Sequence, residues 1–314
     1  MERANKQLIL AKIEANYGVD PVPTVNANDL ILVGDPTFEV LADAIQRSIP
    51  LPHFGKTAPI YVGSGLKLNF STEFKASGTA GTAPREGCLF QACNMTETDN
   101  GTTSTVYTPN STFEDKSVTI YFWADGNQHI VSGCVGTFKI VCKTREIMKV
   151  DWEFTGIYSG THAANVAYPT AVFATVAPLI FKGATFSYNS VATLVINELM
   201  LDIGNTVSKR DSAIAATGIA RYFVSDRAAK GSMNPETVAL SSLNPWTLFD
   251  ASTQANIALS VSGGAGNIIS IAVTGVTLEA PKYGNRENVL TWDLSFSINP
   301  LVATGNNEIV ITMT

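Results

Sequence analysis

The strongest constraint on this chain is that it carries one pattern twice. Val150-Asp-Trp-Glu-Phe-Thr-Gly-Ile157 reappears 140 residues later as Leu290-Thr-Trp-Asp-Leu-Ser-Phe-Ser297. In both copies apolar side chains alternate with polar ones: Val150, Trp152 and Phe154 in the first, Leu290, Trp292 and Leu294 in the second. A period of two is the mark of a half-buried strand, because successive side chains leave opposite faces of the backbone. The other face carries Asp151, Glu153 and Thr155 in one copy and Thr291, Asp293 and Ser295 in the other.

Further landmarks recur in the same order. Gly126-Asn127 and Gly266-Asn267 share the offset of 140, and each sits between two β-rich runs, as a hairpin turn would. Pro84 opens a run ending in Leu89-Phe90, and Pro245 opens one ending in Leu248-Phe249. Proline at a first helical position predicts one short helix in each half. Asn28 to Leu32 resembles Asn197 to Leu201, a fourth match at offset 169. The expected fold is therefore mainly β: two tandem sandwich or barrel domains, 1–165 and 166–314, each with one short helix. An extended stretch near Ala163 to Val176 would join them.

Between these landmarks the patterning is weaker. Leu66 to Phe74 reads as a strand with Leu66, Leu68, Phe70 and Phe74 on one face. Asn94 to Asp115, rich in Thr, Asn, Ser and Asp, reads as an exposed loop. Residues 35–60 and 204–218 read as long irregular segments, and residues 5–16 as either an amphipathic helix or an arm. Loops of that length are usually functional or disordered. Segments 1–24, 35–60 and 204–218 are expected to order only against neighbouring subunits or rings, so that removing residues 1–20 would leave a folded chain that fails to polymerise.

Composition narrows the function. Hydrophobic residues make up 45% of the chain and charged residues only 15%, against roughly 25% in ordinary soluble domains. That excludes a disordered tail and fits a surface covered by partners. With 21 basic and 27 acidic residues the net charge is −6, which argues against a basic groove for nucleic acid. The start, Met1-Glu2-Arg3, has no apolar run behind it, so no secretory signal is expected. The apolar window Ala167 to Phe181 is broken by Pro169 and Pro178, so no membrane span is expected. Cys88, Cys93, Cys134 and Cys142 fit no zinc or redox spacing and read as reduced core thiols.

Catalytic signatures are missing. His53, His129 and His162 are scattered without a second ligand at helical or strand spacing, so no metal or other cofactor is expected. There is no GxSxG elbow, no P-loop and no strand–GxGxxG–helix unit. Glu114-Asp115 lies in a polar stretch, where a solvated pair is the plainer reading than acid–base chemistry. The expectation is a protein that is not an enzyme. A glycosidase or lyase would need two carboxylates facing a cleft. A receptor-binding or adhesion module would share the composition but would not need the paired loops.

Several stretches resemble the tail tube proteins (major tail proteins) of long-tailed bacteriophages. They are Gln7 to Pro23, Ala76 to Cys93 with its Ser-Gly-Thr-Ala-Gly-Thr-Ala-Pro run, Leu199 to Val207, and Gly231 to Glu236. What the resemblance implies is a virion protein assembled in the bacterial cytoplasm, with two domains replacing two subunits of a ring. Three chains would then give a pseudo-sixfold ring, and rings would stack into a tube through which phage DNA passes without specific binding. Tape measure, tail tip and terminator proteins are the other implied partners. The polar faces around the two tryptophans make Asp151, Glu153 and Asp293 candidates either for the channel wall or for an outer sheet that meets solvent or a neighbour; the wall itself is expected to be net acidic or neutral.

Overall fold

The period-two runs do fold as strands. The computed structural model describes residues 6–25, 30–31, 34–50, 52–112, 116–158, 164–170, 175–301 and 305–314. The first half contains β1 (Gln7–Ile13), β2 (Leu30–Ile31), β3 (Gly34–Ile45), β4 (Ile60–Glu73) and helix α1 (Gly87–Ala92). It continues through β5 (Met95–Asp99), β6 (Thr105–Pro109), β7 (Val118–Ala124), β8 (Asn127–Lys143), β9 (Lys149–Ile157) and β10 (Ala164–Asn165). The second half contains β11 (Thr185–Tyr188), β12 (Ile196–Asp202), β13 (Asn205–Asp211), β14 (Ile219–Arg227) and β15 (Lys230–Pro235). Helix α2 (Pro245–Asp250) precedes β16 (Ala255–Ser262), β17 (Ile268–Leu278), β18 (Lys282–Arg286), β19 (Val289–Ile298) and β20 (Ile309–Met313).

Strand pairing repeats between the halves. In the first, the antiparallel order is β3-β4-β9-β8-β7-β1, with β10 added beside β8. In the second it is β12-β15-β19-β17-β16-β11, with β20 added beside β17. Strand β8 is long because it serves two layers: its start pairs with β7 and β10, its end with β9. In the second half β17 and β18 divide that task, β18 pairing with the start of β19. The core lies between the layers and is closed by the helices. Phe90 of α1 packs 4.9 Å from Trp152, and Trp246 of α2 packs edge-on 6.4 Å from Trp292.

One helix forms in each half, but only the second starts at its proline. Pro245 occupies the first turn of α2, and the Asn244 side chain accepts the Thr247 N–H at 3.2 Å, satisfying one orphan donor. Helix α1 begins three residues after Pro84. The Gly126 hairpin is tight, Ala124 facing Asn127, with Asp125 at φ 52°. Its counterpart is longer, Ser262 facing Ile268, and bends through Gly264 and Gly266 at positive φ.

Five expectations are corrected. Residues 7–13 are neither helix nor arm: β1 pairs along its whole length with β7, and Leu8, Ile9, Leu10 and Ala11 are buried. Residues 1–20 therefore hold a core strand, and their removal cannot leave an intact fold. The segment 35–60 contains most of β3, whose alternation is short and flanked by Pro36, Pro50 and Pro52. The segment 204–218 contains β13, a charged strand with no apolar face, paired with β14 at the far end of a long hairpin. Asn94 to Asp115 is largely the hairpin β5–β6, in which β-branched threonines favour the strand; residues 113–115 lie outside the described residues. The match of Asn28–Leu32 with Asn197–Leu201 also fails. Pairing makes Leu199 the counterpart of Phe38, an offset of 161, which is the offset of Pro84 and Pro245.

The halves are joined by backbone as well as by side chains. Strand β8 pairs with β12, from Lys139 opposite Asp202 to Lys143 opposite Glu198, and β6 pairs with β20. Asn267 adds a polar tie: its side chain accepts the Ala76 N–H and donates to the Ala177 carbonyl, both at 3.0 Å. Of the connecting stretch, residue 163 and residues 171–174 lie outside the described residues; the Tyr168 hydroxyl donates to the Gln7 carbonyl at 3.2 Å.

Candidate functional surface

Pairing of β8 with β12 turns the two halves into one continuous sheet. Its order is β3-β4-β9-β8-β12-β15-β19-β18, and its inner face is the buried core. The opposite face is open and polar, because alternation puts every second residue there. On it, β4 contributes Lys67, Asn69, Ser71 and Glu73; β9 contributes Lys149, Asp151, Glu153 and Thr155. Lys139 and Lys143 come from β8, Glu198 and Asp202 from β12, Lys230 from β15, and Asp293 from β19.

Asp151, Glu153 and Asp293 thus all lie on this one face, exposed, with Trp152 and Trp292 buried behind them. They are not gathered into a cluster. Glu153 pairs with Lys67 at 2.8 Å, and Asp151 lies opposite Lys139. Lysines and carboxylates interleave across the strands, so the face is close to electrically balanced. Exposed pairs of this kind contribute little stability, but they leave no stretch of one sign.

Beyond this sheet the β3–β4 hairpin projects. Near its tip Ile49 and Phe54 are exposed, Phe54 completely, and Ile45, Ile60 and Tyr61 are half or more exposed on its arms. Lys209 of β13 holds Asp43 of β3 at 2.9 Å, and the Tyr222 ring of β14 lies against Gly65, where a Cβ would meet its hydroxyl. Two hairpins are thereby fastened side by side. Isolated exposed apolar residues need no explanation, but a run of them on a projecting element marks a contact surface.

The N-terminal segment after β1 is fixed by a buried carboxylate. Glu14 accepts hydrogen bonds from the Gly18 and Gly133 backbone N–H groups and from the Ser117 and Thr119 hydroxyls, at 2.6–2.7 Å. Tyr17 donates to the Gly133 carbonyl at 3.1 Å and accepts the Tyr222 N–H at 2.6 Å, bridging to the second half. Burial pushes its phenol well above the ordinary tyrosine value. Neither residue stood out in the sequence, since nothing local distinguishes Glu14 from a solvated glutamate.

Other candidate residues stay apart. His53 is exposed in the β3–β4 connection, His129 Nδ1 lies 2.7 Å from the Tyr158 hydroxyl, and His162 is outside the described residues, as are Glu114 and Asp115. Among the described residues no group of three or more His, Cys, Asp or Glu stands close enough to hold a metal ion. Cys93, Cys134 and Cys142 are buried thiols, and burial pushes Cys142 up to about 12. No described helix is long and apolar enough to cross a membrane.

Comparison with known families decides what such a surface belongs to. A family model described as phage tail tube protein matches residues 4–308. The chain belongs to the phage tail tube protein family. The match spans both halves. The chain is a structural component of the phage tail, and the mainly β architecture expected of that family is present. Among curated proteins no relative matches.

Proposed function

We propose that this tail tube protein polymerises as homotrimeric rings, each ring pseudo-sixfold because every chain supplies two tube-like domains, 1–165 and 166–314. Stacked rings form the tube, and phage DNA passes along it during ejection. The observation that carries this is the repeated strand order joined through β8 and β12 into a single sheet with one open polar face. Closing such a sheet into a ring removes its edges, which otherwise invite aggregation. The open face, with Asp151, Glu153 and Asp293, becomes the channel wall. Its interleaved charges give DNA phosphates no basic track to bind, so the duplex slides without sticking.

The exposed β3–β4 hairpin, fastened to the β13–β14 hairpin, supplies the contact between stacked rings, and the ends of the tube meet tape measure, tail tip and terminator proteins. Assembly takes place in the host cytoplasm. Negative-stain microscopy of the purified chain tests the proposal: rings or hollow tubes are expected, whereas monomers at every concentration and salt would oppose it.

A further inference from the structure

The internal junction between the halves predicts the junction between chains, residue by residue. At that internal junction β12 lies beside the end of β8, with Leu199 and Leu201 0% and 1% exposed. Strand order makes β18 the counterpart of the end of β8, since β18 pairs with β19 as β8 pairs with β9. Tyr283 faces Trp292 where Phe138 faces Trp152. The same logic makes β3 the counterpart of β12: β3 pairs with β4, and β12 with β15, with a register shift at the matching place. Phe38 and Val40 then correspond to Leu199 and Leu201. Yet they are 42% and 50% exposed, and the outer edges of β3 and β18 have no paired strand among the described residues.

Resting on the tube reading, we infer that β3 of one chain adds antiparallel to the free edge of β18 of the next, with Val40 opposite Asn285 and Glu39 opposite Arg286. The register follows from two matches. Ile140 lies opposite Leu201 at the internal junction; Ile140 corresponds to Asn285 and Leu201 to Val40. Val141 lies opposite Met200 there; these correspond to Arg286 and Glu39.

Charge agrees with a pairing that was derived from geometry alone. At the internal junction β8 supplies Lys139 and Lys143, and β12 supplies Asp202 and Glu198. Between chains the β18 side supplies Arg286 and the β3 side Glu39, the same polarity. Arg286 already pairs with Glu236 through Nη2. Joining the edges also covers Phe38 and Val40, as Leu199 and Leu201 are covered within the chain. An edge-to-edge contact between two different strands is head-to-tail, the geometry that closes into rings.

The test places cysteines at Val40→Cys and Asn285→Cys in a Cys88→Ser chain, assembles tubes and applies a mild oxidant. Directly opposed residues of an antiparallel pair stand within disulfide reach. Cross-linked dimers and trimers are expected from the double variant, and none from either single variant or from Val40→Cys with Tyr283→Cys. As a second arm, Glu39→Lys should leave the monomer's melting unchanged and lower tube yield about tenfold, as a like charge across an interface does. Tubes that form normally but cross-link only in the shifted pair, or not at all, overturn this register and leave the tube proposal standing. Failure of the unsubstituted chain to form tubes overturns both.

Discussion

The two tryptophans are the residues around which each half condenses. Trp152 packs against Phe90, Phe138 and Phe154, and its indole N–H donates to the Thr72 hydroxyl at 2.9 Å. Trp152→Ala should cost about 3–5 kcal/mol, the range for emptying a large buried site, measured as the shift in denaturant midpoint at constant slope. Glu86 offers a test of opposite sign. It is buried just before α1, and desolvation raises its carboxyl above the ordinary value. A raised folded value means the favourable, protonated contribution is complete below the ordinary carboxylate range and is lost as pH rises through the folded value. Glu86→Gln should therefore match the parent in acid and become relatively more stable towards neutral pH, checked by melting curves across pH 4–8. The tryptophan strands were legible in the sequence because alternation around a large side chain is local. Glu14 was not, because its burial is decided by Ser117, Thr119 and Gly133, far away in the chain.

Among the elements, the two whose reading changed most are β1 and the β3–β4 hairpin. Residues 7–13 carry a mostly apolar run that suits a strand buried on both faces as well as one side of a helix, and only pairing with β7 separates the two. Deleting residues 1–20 should accordingly abolish the cooperative unfolding transition rather than assembly alone, seen by circular dichroism; a deletion that melts like the parent would contradict the pairing. Strand β3 escaped notice because prolines punctuate its short alternation. The tip can be tested without touching the core. Phe54 is fully exposed, so Phe54→Ser should melt within about 0.5 kcal/mol of the parent, as surface changes do, and yet polymerise poorly in a sedimentation assay. Unimpaired polymerisation would remove this hairpin from the stacking contact.

At the scale of the whole molecule, the repeated strand order was the most legible feature of the sequence. Offsets of 140 at the tryptophans and hairpins placed equivalent strands correctly, whereas the continuous sheet through β8 and β12 needed the pairing itself. Its open face is neither basic nor strongly acidic: Asp151 sits opposite Lys139, and Lys139 opposite Asp202. On the proposal that this face lines the channel, such a wall would hold DNA nowhere, and salt should change its behaviour little. The central claim is that two domains of one chain stand in for two subunits, and ring mass measures it most directly. Mass per ring along assembled tubes, read by scanning transmission microscopy or from a cryo-EM reconstruction, should equal three chains of 33.5 kDa, with the two halves alternating around the channel. Six chains per ring would contradict it.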